Sequence, residues 1–215
     1  MAETYSGWVD IVIPIWRESP ATRDCITAVI RNTEQPFNLI LVSSSESYTA
    51  NLNQGLTRSK STVVVIMDDD VIVPSGGIRQ LAATLLDRAI VQNAAAVIPK
   101  IVGAAGLPLA NGHRNIQPGQ IVQVHTHQAS GCCAALLKLG ANGPALMDDL
   151  YLGSQWGDTD YFRTLEEIGY TIWMDGGVVV NHVMMSQRAS NSRGDENRKR
   201  YHEKWPPPSC GCCDV

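Results

Sequence analysis

The run Val63-Val64-Val65-Ile66-Met67 ends in three consecutive aspartates, Asp68-Asp69-Asp70, and the apolar pattern resumes at Val71-Ile72-Val73-Pro74. A continuous, largely β-branched run fits a strand covered on both faces. The carboxylates cannot follow it into a core, because burying unpaired charge is too costly. The strand must deliver them to an edge. In an open α/β sheet, the edge at the strand C-termini is where ligands bind. Asp68 and Asp70, one residue apart, suit a hard divalent cation such as Mg²⁺ or Mn²⁺, which in turn suits phosphates. The plain alternative is a solvated turn, since Asp favours turns.

The residues on either side repeat this theme. Val9 to Ile15 reads as a first strand. Ser19-Pro20 then supplies an N-cap and a proline at the first helical position. The following helix should turn Cys25, Ile26, Val29 and Ile30 inward. Leu39 to Val42 is a second buried strand, and a short helix is expected over 50–59. Strand, helix, strand, helix, strand in the first seventy residues is the rhythm of a parallel, doubly wound sheet. Ile78, Leu81, Ala82, Leu85, Leu86 and Ala89 mark an amphipathic helix, and Ala94 to Ile98 a fourth strand. Residues 103–119, rich in Gly, Pro and Asn, read as a long loop. Strands are expected at 121–125, 132–138 and 178–180, and a helix over 158–168 capped by Gly169. From Met185 onward the chain is polar and reads as a flexible basic tail.

At 215 residues the chain holds one sizeable domain. A net charge of −4 argues against non-specific nucleic-acid binding. No apolar run is long enough to span a bilayer, and Met1 to Gly7 lacks the pattern of a signal peptide. The expected location is the cytoplasm, with peripheral membrane contact left open. The six cysteines (Cys25, Cys132, Cys133, Cys210, Cys212 and Cys213) are not spaced as a disulfide framework, so free thiols are expected.

Other residues carry chemistry. Gly157-Asp158-Thr159-Asp160 opens a helix, so one carboxylate serves as a cap or as a general base that takes a proton from an acceptor hydroxyl. His182, after the last strand, is either a loop residue or the imidazole that completes a metal site built by remote carboxylates. Arg188, Arg193, Arg198, Lys199 and Arg200 form a solvated end or a flap that neutralises a departing diphosphate. His125-Thr126-His127 sets two histidines on one side of a strand, where a second metal site is possible, though no carboxylate stands near them in sequence. Cys210-Gly211-Cys212-Cys213 lacks a partner quartet.

Together these residues resemble the family 2 glycosyltransferases of GT-A fold, in the short bacterial and viral form, from Val9 to about Trp205. The resemblance is carried by Val9 to Trp16, Asn53-Gln54-Gly55 running into Asp68-x-Asp70, Ser130-Gly131-Cys132, Met147 to Leu152 leading into Gly157 to Asp160, Gly169-Tyr170, His182 and Lys204-Trp205. It implies an α/β fold with a Rossmann-like, mostly parallel sheet flanked by helices and a smaller acceptor-side lobe. Residues 1–100 would form the nucleotide-sugar lobe, 101–184 the acceptor lobe and 185–215 the tail. It implies metal-dependent, inverting transfer of a sugar from a nucleotide diphosphate sugar, with UDP the expected carrier, to a glycan, lipid-linked or small hydroxyl acceptor. Asp158 would be the base. Pro14, Trp16, Glu18, Ser43, Ser44, Ser45, Asn53, Asp68 and Asp69 would contact the donor. Asp68, Asp70 and His182 would hold Mn²⁺ or Mg²⁺.

The chain departs from the family pattern twice. Ser43 to Glu46 stand where an Asp often reads uracil, and Gly157 stands where the family's Glu-Asp motif has its Glu. The alternatives are a retaining GT-A transferase, a nucleotidyltransferase that releases pyrophosphate, and a non-catalytic nucleotide-sugar-binding module.

Overall fold

The computed structural model describes residues 7–43, 47–103, 116–138, 146–153, 155–183 and 193–206. Strand β1 (Val9–Pro14) leads to helix α1 (Pro20–Asn32), β2 (Phe37–Val42), α2 (Tyr48–Arg58), β3 (Val63–Met67), the short β4 (Val71–Ile72), α3 (Gly77–Gln92) and β5 (Ala94–Gly103). Strand β6 (Ile121–Val124), β7 (Cys133–Leu137), α4 (Gly157–Glu167), β8 (Thr171–His182) and α5 (Gly194–Lys204) complete the described elements. Helix α1 starts as its sequence requires: Ser19 Oγ accepts from Thr22 N at 3.1 Å, with proline at the first turn.

One sheet runs β2-β1-β3-β7-β5-β8-β4, with β6 also pairing β8. Strands β2, β1 and β3 are mutually parallel, and β5 and β8 are parallel to each other. Strand β7 is antiparallel to both β3 and β5, so β5 and β8 share the direction of β1 and β3. The sheet is thus mixed and mostly parallel, and residues of both expected lobes share it.

Alternation along the strands sorts the core into two layers. Ile11, Ile13, Val63, Val65 and Met67 meet Cys25 and Val29 of α1 and Ile78, Leu81 and Leu85 of α3. Val12, Val64 and Ile66 meet Leu52 and Leu56 of α2 and Phe162 and Leu165 of α4 on the other face. Gly55 is needed there, because any Cβ would strike Val12 Cγ1. Ile30, expected inside, is 58 % exposed; Ala28 takes its place against the sheet.

The last strand is much longer than 178–180. Asp175-Gly176-Gly177 lies inside β8 as a bulge. Pro99 pairs with Asp175 and Lys100 with Val179, so the intervening residues have no counterpart on β5. The fully buried Asp175 carboxylate closes this bulge by accepting from Gln80 Nε2 (3.1 Å), Thr84 Oγ1 (2.7 Å) and Gly177 N (2.8 Å).

The expected basic tail lies partly outside the described residues, as do Cys210, Cys212 and Cys213. Its residues 193–206 do not hang free. Helix α5 is pinned by Asn197 Nδ2, which donates to Leu152 O (2.7 Å) and Gln155 O (2.9 Å). No helix among the described residues is long and apolar enough to cross a membrane.

Candidate active site

The strand directions gather the functional groups at one edge. Asp68-Asp69-Asp70 follows the C-terminus of β3. Because β7 runs the other way, its start lies beside them: Met67 pairs with Cys133, and Asp68 N donates to Cys132 O at 2.8 Å. Strand β4 turns back from Asp70 and pairs Val71 with His182, and Val183 N donates to Asp70 O at 3.0 Å. This pairing brings a histidine 112 positions later in sequence onto the aspartates.

His182 Nε2 lies 3.1 Å from Asp70 Oδ1 and 3.4 Å from Asp68 Oδ2. One ligand atom from each of Asp68, Asp70 and His182 falls within 4.8 Å of the others. Two hard carboxylate oxygens and one imidazole nitrogen fit a divalent ion of the Mg²⁺–Mn²⁺ kind, the imidazole favouring Mn²⁺. Burial pulls the His182 pKa down, but hydrogen bonds to Asp68, Asp70 and Cys132 outweigh it and push it up to about 12. The imidazolium balances the carboxylates, and a bound cation would take over that role.

Asp69 points elsewhere. Its Oδ2 accepts from Trp16 N and from Thr22 Oγ1, both at 3.4 Å, tying the β1–α1 loop to the aspartate turn. Pro14 is buried at the end of β1, and Trp16 is 58 % exposed just beyond it. Glu18 pairs with Arg23 at 3.4 Å on the surface. Ser43 is exposed after β2; Ser44, Ser45 and Glu46 lie outside the described residues. On α2, Asn53 Nδ2 donates to Met147 O (2.7 Å) and its Oδ1 accepts from Met147 N (2.8 Å). With both ends of its amide engaged by Met147, Asn53 braces the segment that leads to Asp158.

Asp158 stands in the first turn of α4. Its Oδ2 accepts from Gly131 N at 2.8 Å and its Oδ1 from Thr159 N at 2.9 Å. Burial raises its pKa, the Gly131 and Thr159 N–H groups oppose that, and the Asp68 charge adds to the rise. A carboxylate with a raised pKa is better suited to holding a proton. A Cβ at position 131 would sit 2.5 Å from Asp158 Cβ, so glycine alone permits this approach. Gly157 answers to a similar constraint: a Cβ there would strike the Thr49 methyl, which excludes the Glu of the family motif.

Several groups here were invisible in the sequence. Tyr48 Oη donates to Gly131 O at 3.3 Å. Trp156, before Gly157, holds φ 72°, uncommon for a non-glycine residue and often a mark of functional sites. Its ring packs on Tyr201 (5.1 Å) and His202 (5.8 Å) of α5. Asp160, buried, accepts from Lys204 Nζ (2.8 Å), Trp205 Nε1 (2.7 Å) and Tyr151 Oη (3.2 Å). Asp148 accepts from Arg200 at 3.2 Å. Of the paired carboxylates in Asp158-x-Asp160, one therefore meets the Gly131 turn and the other anchors α5. Only the backbone approach of distant segments reveals which does which.

No family model and no curated protein matches this chain. Solved structures do match in fold. GalNAc-T7, solved with UDP, GalNAc and Mn²⁺, superposes with a TM-score of 0.65 at 13 % identity, covering 92 % of this chain and 48 % of that one. S. aureus TarS superposes at 0.64 and 9 % identity, covering 91 % and 39 %. Its 1–349 fragment gives 0.57 and 8 %, covering 96 % and 75 %. The chain thus spans about half or less of the length of the first two. These neighbours are GT-A glycosyltransferases. The mixed, mostly parallel sheet flanked by helices is the GT-A fold of these neighbours.

Proposed function

We propose that the chain is a metal-dependent glycosyltransferase that moves a sugar from a nucleotide diphosphate sugar to a hydroxyl acceptor with inversion. The observation that carries this reading is the Asp68–Asp70–His182 cluster at the same sheet edge as Asp158, on a GT-A fold. UDP is the expected carrier, and the UDP and Mn²⁺ bound by GalNAc-T7 favour it. The acceptor is a glycan, lipid-linked or small hydroxyl compound.

Asp68, Asp70 and His182 would hold Mn²⁺ or Mg²⁺. Such an ion supplies charge neutralisation to the departing diphosphate. Pro14, Trp16 and Ser43 border the base, and Asp69 keeps the β1–α1 loop in place beneath it. Asp158 accepts the acceptor hydroxyl proton as that oxygen attacks the anomeric carbon from the side opposite the diphosphate. The new carbon–oxygen bond forms, the carbon–phosphate oxygen bond breaks, and the proton rests on Asp158. The acceptor segment, braced by Asn53 through Met147, shapes the site around that hydroxyl.

A thermal-shift panel of nucleotide sugars with and without Mn²⁺ identifies the donor, because a ligand that binds only the folded state stabilises it. Asp158→Asn should abolish transfer from that donor while leaving its binding intact. Transfer at the wild-type rate would remove Asp158 from the mechanism. Proton NMR of the product reads the anomeric configuration, and retention would reject inversion.

A further inference from the structure

Tyr48 stands at the start of α2, partly buried against the core layer beneath α4. Its surroundings are unusually well braced. Ser47 caps the helix and donates to Tyr151 O (3.3 Å), Thr49 Oγ1 donates to the same carbonyl (3.0 Å), and Tyr48 N donates to Gly153 O (3.3 Å). The start of α2 is thus tied to residues 151–153, which lead towards Asp158. Its hydroxyl reaches across to the Ser130-Gly131 turn, where Tyr48 Oη donates to Gly131 O at 3.3 Å. The N–H of that same glycine donates to Asp158 Oδ2 at 2.8 Å. Gly131 therefore has its carbonyl held by Tyr48 and its amide spent on Asp158, and it has no side chain to steady it otherwise.

We propose that Tyr48 is a positioning residue for Asp158: its hydroxyl fixes the Gly131 turn, and the turn fixes the carboxylate. The inference rests on Asp158 being the base only for its consequence in catalysis; the linkage itself is a property of the fold. Tyr48 does not titrate in the working range, because burial and the nearby Asp68 and Asp158 charges hold its phenol well above the usual value. It acts as a fixed donor.

The groups that face Asp158 are Asp68 from the end of β3, Tyr48 from α2, and the Gly131 and Thr159 amides. Removing the Tyr48 hydroxyl frees the Gly131 turn. The Gly131 N–H bond then weakens, and an amide that donates to a carboxylate lowers its pKa. The Asp158 midpoint should therefore rise in Tyr48→Phe. The hydroxyl also hydrogen-bonds Asp68. Losing that bond leaves the Asp68 charge less compensated, and a less compensated neighbouring anion also raises the Asp158 midpoint. The Gly131 amide separates the two routes, because the amplitude of its titration depends on its bond to Asp158 and shrinks only when the turn is freed.

The test is an NMR titration of the full chain, following the Gly131 amide and the Asp158 carboxyl carbon, with Asp158→Asn identifying both signals. Tyr48→Phe should raise the shared midpoint by about half a pH unit or more and shrink the amplitude of the Gly131 amide titration. Tyrosine replaced at position 48 by 3-fluorotyrosine keeps ring and hydroxyl and should leave the Gly131 resonance coupled to Asp158 as in wild type. An unchanged or lowered midpoint in Tyr48→Phe, or a raised midpoint with the Gly131 amplitude unchanged, overturns the proposal. A raised midpoint together with full transfer activity in Asp158→Asn would leave the linkage standing and remove Asp158 as the base.

Discussion

Gly157 stands where the family 2 pattern that the sequence resembles has the Glu of its Glu-Asp motif, and one methyl group leaves no room for a side chain there. A Cβ at 157 falls under 3.0 Å from Thr49 Cγ2, while its next neighbours, Tyr151 Cβ at 3.4 Å and Thr49 Cβ at 3.8 Å, are ordinary contacts. Thr49 is buried and its hydroxyl is bonded to Tyr151 O, so the methyl cannot rotate away without breaking that bond. Gly157→Ala should therefore overpack the α2–α4 contact, at a cost of about 1–3 kcal/mol. The helix-propensity gain on replacing glycine offsets at most about 1 kcal/mol of this. Thr49→Ser removes the offending methyl and keeps the hydroxyl; alone it should cost about 1 kcal/mol for the lost buried methyl. The double variant should be no worse than Thr49→Ser, giving a coupling of about 1 kcal/mol or more in the favourable direction. Urea denaturation of all four proteins measures it, and transfer activity should fall in Gly157→Ala and return in the double variant. Additivity of the single costs to within about 0.5 kcal/mol would refute the steric account.

Asp70→Ala should lower Mn²⁺ affinity at least about 100-fold, since even partners outside the ligand set commonly cost 10–100-fold; unchanged calorimetry would reject the metal role. Asp10 is pushed up by burial, but hydrogen bonds from Ser61 N, Asn38 Nδ2 and Lys60 N outweigh this and leave its pKa below the usual 3.8. Its folded-state pKa is depressed, so its contribution is present above pH 3.8 and is lost as pH falls through the lower folded value. Asp10→Asn should therefore destabilise the protein at neutral pH, and the gap between variant and wild type in thermal unfolding should shrink on acidification; a gap that grows in acid would contradict this. Asn197→Ala removes both donations to the 152–155 carbonyls and should cost about 1–3 kcal/mol in denaturant unfolding. A loss below about 0.5 kcal/mol would show that α5 is held elsewhere.

Local pattern determined much of this protein. The β-branched run of β3 can only be a covered strand, and aspartates after it can only emerge at an edge. Ser19-Pro20 starts α1 because capping and fixed φ act within one turn. The periodicity of α3 and the positive φ of 93° at Gly169, which ends α4, are likewise local. Local pattern set Asp68 and Asp70 at a sheet edge as a cation pair; the resemblance to family 2 glycosyltransferases is what joined Asp158 and His182 to them in one expected site.

What only the tertiary structure decided depends on segments distant in sequence. The Asp175-Gly176-Gly177 stretch has turn chemistry, but Gln80 and Thr84 of α3 satisfy the buried carboxylate and keep the strand running as a bulge. The antiparallel entry of β7 puts Gly131 against both Asp158 and Tyr48, and strand direction is not written in any local pattern. Asn53 is tied through both ends of its amide to Met147, 94 positions away in sequence. Asp158 and Asp160 are the same residue type, two positions apart, and their different tasks are set by what each meets. Asp158 meets the Gly131 amide, and Asp160 a lysine of α5 and the indole just after it. Composition and periodicity report which face of an element is buried; they carry no record of the partner that buries it.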